Sequence, residues 1–321
     1  MSQKTYKTIF FGTPDFAVPV LSALADLRFI HLVSVVTQPD KPVGRKQTLT
    51  PPPVKAWSVK NNLPVWQPTS IKSNVFLEQF KSVTPDVCIV VAYGKIIPAN
   101  LLDIPPHGWL NIHASLLPKY RGASPIQAAI LNGEQETGVT LMKIDAGLDT
   151  GPSIAQEKVP LAPDENFATL HDRLSQLGTE LIKRSLLPYL TGEIQPVPQD
   201  NAQASLTKII DKTDGRIEWK KSAAEIDRQI RAYTPWPGAY CFWKPTTSNS
   251  TELRLKILSA KLVDTGHRLL PGQTAVDNGH IIVGCGQGTL DLIEVQLEGK
   301  KPLPTGEFTK GYPGFKQTVL S

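Results

Sequence analysis

The sequence LNIHASLLPKYRGASPIQ, from Leu110 to Gln127, joins the end of a buried strand to a cluster of polar side chains. Asn111, His113 and Ser115 are spaced two residues apart, so an extended strand directs all three to one face. Pro118 then ends the extended run, and Lys119, Arg121 and Gly122 form a basic turn. Polar groups where a parallel strand ends are a usual site arrangement in α/β folds. The sequence therefore indicates a functional site, although satisfied polar residues that cap a strand would show the same Asn-x-His pattern.

The residues before this segment alternate strand-like and helix-like patterns. Thr8–Phe11 is an apolar strand that runs into a turn at Gly12, and apolar residues then recur at helical spacing over Phe16–Leu27. Asp86–Ala92 is almost entirely apolar, which is typical of a strand buried on both faces of a parallel sheet. The pattern predicts an α/β domain. A dinucleotide fingerprint would need further glycines after Gly12, so a cofactor of that kind is not predicted.

A carboxylate follows the next predicted strand. Thr137–Ile144 is strand-like and ends at the turn DAGLDTG, which contains Asp149. If consecutive strands are neighbours, Asp149 lies beside His113, where it could orient the imidazole. An amide, an imidazole and a carboxylate suit acyl transfer through a tetrahedral intermediate, and the sequence offers no motif for a protein nucleophile. The incoming group would then bring its own, although an aspartate in such a turn is also a common turn former.

Two further segments have unusual composition. Gln38–Pro53, QPDKPVGRKQTLTPPP, is basic and rich in proline, and it is longer than a routine α/β connection, so we predict a functional loop. Residues 191–205 are polar and proline-bearing without a period, which predicts a linker. Short strands separated by tight turns follow and predict a small β-barrel.

Charge and composition exclude several classes of protein. The net charge is +5, and residues 201–321 carry 16 lysines and arginines against 12 aspartates and glutamates. This excess favours a polyanionic partner, although ordinary solubilising charge would give the same count. No apolar run is long enough for a membrane span and no secretion signal is evident, so a cytoplasmic protein is expected. The cysteines Cys88, Cys241 and Cys285 each lie in an apolar run, which predicts reduced packing thiols and no metal site.

In combination, these motifs resemble those of the folate-dependent formyltransferases. The family's Asn-x-His, S-L-L-P and L-D-T-G motifs are met by Asn111 and His113, by Ser115–Pro118 and by Leu148–Gly151. The resemblance extends over essentially the whole chain through FGTPDFAVPVL, TQPDKPVGR, VVAYGKIIP, LEGKKP and the segment Arg231–Pro237. It is greatest to members of the family that act on methionyl initiator tRNA.

The resemblance implies a fold, two substrates and a location. Residues 1–190 would form a Rossmann-like catalytic domain, residues 191–205 a linker, and residues 206–321 an OB-like β-barrel domain that binds tRNA. The formyl donor would be 10-formyltetrahydrofolate, and the acceptor would be the α-amino group of methionyl initiator tRNA. No metal is implied, and we expect a monomer that does not bind membranes.

The resemblance also implies site residues. Asn111, His113 and Asp149 would be catalytic, with Asn111 and His113 on the developing oxyanion and Asp149 orienting His113. The tRNA would contact Lys41, Arg45 and Lys46 of the basic loop, with Arg45 as the matched functional arginine. The folate would contact a larger set, formed by Tyr93, Gly94, Ile96, Ser115, Leu116, Leu117, Pro118 and Asp149.

Two other functions remain open. A formyltransferase for a small amine, such as a sugar nucleotide or glycinamide ribonucleotide, would share the N-terminal chemistry but would not need the basic loop or the basic C-terminal domain. A noncatalytic RNA-binding protein on the same fold would have no need to keep Asn111, His113 and Asp149 together.

Overall fold

The computed structural model describes residues 4–44, 46–245 and 251–321. The chain forms two compact units. The first comprises the residues up to Pro125, Glu136–Pro160 and His171–Thr207, and the second comprises Ile126–Gln135, Leu161–Leu170 and Lys208–Ser321. None of the helices in the described ranges is long and apolar enough to cross a membrane.

The first unit is built on a mixed sheet. Its strands, in chain order, are β1 (Tyr6–Gly12), β2 (Ile30–Val36), β3 (Lys41–Val43), β4 (Thr48–Thr50), β5 (Val65–Trp66), β6 (Val87–Val91), β7 (Trp109–His113), β8 (Arg121–Gly122), β9 (Glu136–Lys143), β10 (Ser153–Pro160) and β11 (Leu206–Thr207). The main sheet has the order β10-β9-β7-β6-β1-β2-β5. Its strands from β7 to β5 are parallel, whereas β9 is antiparallel to β7 and β10 to β9. The predicted α/β fold with a parallel sheet is confirmed, and β6 is buried along its whole length.

The helices of the chain lie mainly between the strands. They are α1 (Val18–Asp26), α2 (Pro53–Lys60), α3 (Asn74–Val83), α4 (Ala99–Leu102), α5 (Pro125–Leu131), α6 (Phe167–Leu190), α7 (Ala223–Tyr233) and α8 (Thr305–Gly311). α6 packs closely on the strand that carries the predicted site. At Gly178 a Cβ would come within 2.8 Å of Cγ2 of Ile112 in β7, so the small residue allows this approach. The packing of α6 therefore holds β7 in place from the face opposite to Asn111 and His113.

Aromatic residues fill the core on the other face of the main sheet. Phe11 of β1 contacts the rings of Phe76 and Phe80 from α3, Trp109 from β7, and Tyr93 from the loop after β6. Ring centroids in these contacts are 4.8–6.5 Å apart, which is the usual range for favourable aromatic pairs. The loop that follows β6 is therefore anchored by a buried tyrosine.

The predicted loop Gln38–Pro53 contains a short hairpin of β3 and β4. The sequence did not predict these strands, because each has only three residues and all six are exposed. The start of the loop is fixed by Asp40, which accepts hydrogen bonds from Lys55 Nζ at 2.8 Å and from Gln67 Nε2 at 2.7 Å. These hydrogen bonds, that of Gln67 foremost, hold the pKa of Asp40 below its usual range.

The second unit contains a curled antiparallel sheet. Its strands are β12 (Tyr240–Trp243), β13 (Leu253–Val263), β14 (Thr274–Asp277), β15 (His280–Gly284), β16 (Thr289–Leu297) and β17 (Leu303–Pro304). The order is β12-β13-β16-β15-β14, with β17 paired to β16. α7 covers this sheet with Ile226 and Ile230, which are buried in its core. The sheet forms a half-barrel of the OB-like type that the sequence predicted.

Two other predictions concern the linker and the cysteines. Residues 191–205 are bound to the first unit, and Val197 exchanges two backbone hydrogen bonds of 2.8 Å with Ser153. Cys88, Cys241 and Cys285 are buried and carry free thiols, which confirms their prediction as packing residues.

Candidate active site

The end of β7 presents Asn111 and His113 on one face of the sheet. His113 is 6% exposed, Asn111 is half-buried, and Ile112 between them points into the core. Within the described part of the chain, the side-chain amide of Asn111 has no hydrogen-bond partner. A half-buried amide without a protein partner is available to a substrate oxygen.

The imidazole of His113 is held between two oxygen atoms. Nε2 lies 2.9 Å from the backbone oxygen of Tyr120, and Nδ1 lies 3.7 Å from Oδ2 of Asp149. Since a carbonyl oxygen only accepts hydrogen bonds, we assign a proton to Nε2. Nδ1 is therefore the nitrogen that can gain or lose a proton beside Asp149.

A tight turn brings the oxygen of Tyr120 to the ring. Ser115, which is fully buried, donates from Oγ to the backbone oxygen of Lys119 at 2.6 Å and closes this turn. The sequence predicted that Ser115 would share a strand face with Asn111 and His113. β7 ends at His113, so Ser115 stabilises the turn that follows.

Asp149 reaches the site from a neighbouring strand. β9 pairs directly with β7, as predicted, but its antiparallel direction was not predicted. The turn after β9 consequently starts beside the first residue of β7, where Ile144 N donates to Trp109 O at 2.8 Å. Asp149 is within reach of His113 because the chain after the Tyr120 turn folds back to it, and Gly122 N donates to Asp149 Oδ2 at 2.8 Å.

The two aspartates of the DAGLDTG turn have different roles. Asp145 accepts from Gly147 N at 3.0 Å and from Thr150 Oγ1 at 2.6 Å, so it forms the turn. Asp149 makes no such contact and adopts a left-handed backbone with φ of 52°. Gly151 allows the turn to close, because a Cβ there would lie 2.0 Å from the backbone oxygen of Lys143.

The predicted folate residues fall into two groups. Gly94 is exposed, Ile96 is 81% exposed, and Leu116 and Pro118 are half-buried. The other side chains of the predicted set, apart from Asp149, are buried, namely Tyr93, Ser115 and Leu117. Tyr93 is buried as a whole residue, and its backbone oxygen accepts from Thr13 Oγ1 and from Gln38 Nε2.

Two of the three predicted tRNA residues, Lys41 and Lys46, lie on the hairpin of β3 and β4. Lys41 and Lys46 are exposed, and Lys41 Nζ donates to Gln38 Oε1 at 3.1 Å. Arg45 lies outside the described residues. Both described lysines are open to solvent, Lys41 at the base of the hairpin, where it pairs with Thr50, and Lys46 in the turn at its tip.

The sequence interpretation missed a polar network beside the site. Gln199 contacts the Asp149 turn and Arg121, while Ser205 Oγ accepts from Tyr120 N at 2.9 Å. β8 and β11 pair in parallel next to these contacts. These residues come from the end of the predicted linker, and a polar segment without a period gave no signal of a site.

The arrangement combines an amide donor, an imidazole and a carboxylate on one surface. Such a set can stabilise an oxyanion and transfer a proton without a covalent enzyme intermediate. Among the described residues, no group of histidine, cysteine and acidic side chains is placed to hold a metal ion.

Comparisons with known proteins identify the family of the chain. A model of the formyl transferase family matches residues 6–186, and a model of the formyl transferase C-terminal domain matches residues 209–313. Methionyl-tRNA formyltransferase from Geobacter sulfurreducens is 44% identical over 308 residues, which cover 95% of this chain and 94% of that protein. The enzyme of the same name from Koribacter versatilis is 46% identical over 310 residues, which cover 95% of each.

Solved structures share the fold at low identity. An N-formyltransferase from Helicobacter canadensis, in complex with folinic acid and dTDP-3-aminofucose, superposes with a TM-score of 0.66 at 21% identity and covers 90% of this chain and 98% of its own. HypX from Aquifex aeolicus in complex with tetrahydrofolic acid gives a TM-score of 0.61 at 16% identity over 96% of this chain. The chain spans about half of the length of HypX, at 48%.

Proposed function

The chain belongs to the family of methionyl-tRNA formyltransferases, and we propose that it transfers the formyl group of 10-formyltetrahydrofolate to the α-amino group of methionyl initiator tRNA. The observation that carries the chemistry is that Asp149 faces His113 at the end of β7, the strand that also presents the amide of Asn111, unpaired within the described residues. In this formyl transfer the amine of the acceptor is the nucleophile. The protein therefore needs no nucleophile of its own, and none of these three side chains has to act as one.

The transfer proceeds through a tetrahedral intermediate. The amine lone pair attacks the formyl carbon, a C–N bond forms, and the carbonyl electrons move to oxygen. The bond between the carbon and N10 of the folate then breaks, and N10 leaves with a proton. Asn111 donates to the oxyanion, and the pair of His113 and Asp149 takes the proton that the amine loses and returns it towards N10.

The folate is proposed to lie against the loop after β6 and the turn after β7. Gly94 and Ile96 offer an exposed backbone and an exposed apolar side chain, which suit a flat heterocycle. Leu116 and Pro118 offer further partly exposed apolar surface, and the turn that carries Asp149 would contact the ligand as well. Tyr93, Ser115 and Leu117 are buried, so they would contribute by holding the turns that the ligand contacts.

The tRNA is proposed to contact the basic hairpin and the second unit. Lys41 and Lys46 are exposed on the hairpin, and Arg45 lies between them in sequence. Residues 1–190 would be the catalytic domain, residues 191–205 the linker and residues 206–321 the tRNA-binding domain. In the second unit, the guanidinium of Arg254 lies 3.6 Å from the ring centroid of the buried Tyr240, a cation–π contact that holds this arginine in place.

The proposed enzyme is a cytoplasmic monomer. This setting follows from its acceptor, because charged initiator tRNA is a substrate of translation, and its three buried free thiols suit a reducing compartment.

The decisive experiment offers the protein three acceptors together with 10-formyltetrahydrofolate. Charged initiator tRNA should be formylated much faster than charged elongator tRNA or an amino sugar nucleotide. Formylation of the sugar nucleotide alone would overturn the proposal. Retention of formyl transfer in a variant that lacks both His113 and Asp149 would overturn the mechanism.

A further inference from the structure

Gln199 fills its whole hydrogen-bonding capacity with contacts around the candidate active site. Its Nε2 donates to the backbone oxygens of Asp149 at 2.9 Å and of Gly151 at 2.7 Å. Its Oε1 accepts from Nε and Nη2 of Arg121, at 3.1 Å and 2.8 Å. A primary amide has two N–H donors and two lone pairs on oxygen, and all four are used here.

These contacts connect the two turns that hold the proposed catalytic pair. One turn carries Asp149, and Gln199 binds its backbone directly. The other carries Arg121, which lies between Tyr120, whose oxygen accepts from His113, and Gly122, whose N–H binds the Asp149 carboxylate. Gln199 therefore binds Arg121, the residue between the two backbone groups that contact the His113 and Asp149 side chains.

We propose that Gln199 is a positioning residue, which sets the relation of Asp149 to His113 for the formyl transfer proposed above. The inference rests on that proposed function. Asp149 has a left-handed backbone, which a residue other than glycine keeps only when its surroundings hold it in place. The two bonds that Gln199 donates to this turn supply such a hold.

Arg121 fixes Gln199 in turn. Arg121 is only 6% exposed, and besides its two bonds to Gln199 the guanidinium donates from Nη2 to Asn201 Oδ1 at 2.8 Å. The Gln199 oxygen is thus oriented by a buried, charged donor, and its nitrogen must point to the Asp149 turn. Since no donor or acceptor of the amide is left over, Gln199 is not free to bind folate or tRNA.

The primary test replaces Gln199 by leucine and measures single-turnover and steady-state formyl transfer. We expect kcat to fall by about 10- to 100-fold, with each KM changed by less than about twofold, because the variant misplaces a catalytic pair without removing a substrate contact. The matched control is Gln203→Leu, since Gln203 is exposed on the same segment and contacts only Asp200. A wild-type kcat in Q199L, or a loss confined to KM, would overturn the proposal.

A second variant separates the two halves of the network. Gln199→Glu keeps an acceptor for Arg121 but places a carboxylate against the oxygens of Asp149 and Gly151. We expect it to lose kcat as Q199L does while its melting temperature stays near that of the wild type. Wild-type activity in Q199E would show that the hold on the Asp149 turn is irrelevant.

A double-mutant cycle tests whether Gln199 acts through Asp149. In an Asp149→Asn background, Q199L should lower the residual rate by less than about twofold, because the positioned carboxylate is already absent. A full 10- to 100-fold loss in that background would assign Gln199 a separate role and overturn the proposal.

A spectroscopic measurement keeps this inference separable from the choice of acceptor. The ¹⁵N chemical shifts of the His113 ring report its hydrogen bonds and require no substrate. They should change in Q199L and stay unchanged in Q203L, whichever amine the enzyme formylates. Unchanged His113 shifts in Q199L would overturn the positioning role even if formylation of tRNA were confirmed.

Discussion

Nδ1 of His113 lies 3.7 Å from Oδ2 of Asp149, a distance that suits an ion pair and is longer than a good hydrogen bond. The same Asp149 oxygen is already bound by Gly122 N–H at 2.8 Å. The two side chains therefore face each other without a direct hydrogen bond between them. We expect this distance to shorten when both substrates are bound, since catalytic hydrogen bonds often tighten only in the reacting complex.

The first prediction concerns this pair. Asp149→Asn keeps an oxygen acceptor for Gly122 N–H but removes the charge that faces His113. We expect formyl transfer to fall by about 10²- to 10⁴-fold, and His113→Ala to give a similar loss. Urea unfolding should show a change of no more than about 1 kcal/mol in the free energy of unfolding for D149N. Full activity in either variant would contradict the assigned roles.

The second prediction concerns Asn111. Its amide has no hydrogen-bond partner within the described residues, so Asn111→Ala should hardly change stability. Loss of an oxyanion donor should lower kcat by about 10²- to 10³-fold. Asn132→Ala is a suitable control, since that amide donates to Ala128 O on an exposed helix end. Equal activity of the two variants would remove Asn111 from the mechanism.

The third prediction concerns the basic hairpin. Arg45→Ala should raise KM for charged initiator tRNA by at least about tenfold and leave folate binding within about twofold. Loss of a phosphate contact should also lower the salt dependence of tRNA binding. Lys183→Ala is the control, because Lys183 lies on α6 and pairs with Glu180. An equal loss of folate binding in R45A would show that the loop has another role.

The fourth prediction concerns the cysteines and pH. Burial raises the pKa of Cys285 to about 12 and raises the pKa of Cys88 and Cys241 above their usual value of 9.0. The neutral thiols therefore stabilise the fold below pH 9.0, and this contribution is lost as the pH rises from 9.0 towards 12, because the unfolded chain ionises first. A thiol reagent at pH 8 should not react with the native protein and should titrate three thiols after denaturation. Rapid reaction of any thiol in the native state would contradict the burial.

Local sequence patterns predicted most of the elements. The apolar runs Thr8–Phe11 and Asp86–Ala92 are found in β1 and β6, and the periodic segment Phe16–Leu27 contains α1. These predictions succeed because each buried face repeats its apolar residues at the period of its own secondary structure. The hairpin of β3 and β4 lacks such a signal, since all its residues are exposed.

The direction of β9 could not be predicted in the same way. A strand buried on both faces has the same apolar sequence pattern whether it runs parallel or antiparallel to its neighbour. Only the path of the connecting chain determines its direction. Here β9 runs antiparallel to β7, so the Asp149 turn begins beside the start of β7. The simple expectation that strand ends share one edge does not explain why Asp149 meets His113.

The sequence by itself determined the fold class, and it predicted the site residues Asn111, His113 and Asp149 with their chemistry, because residue type and local spacing are written in the chain. Only the tertiary structure decided how they meet. The turn closed by Ser115 returns Tyr120 to the His113 ring, and Gln199, 50 residues after Asp149, holds the second turn. Such contacts depend on closing long loops, and a polar segment without a period gives no local sign of where its side chains will bond.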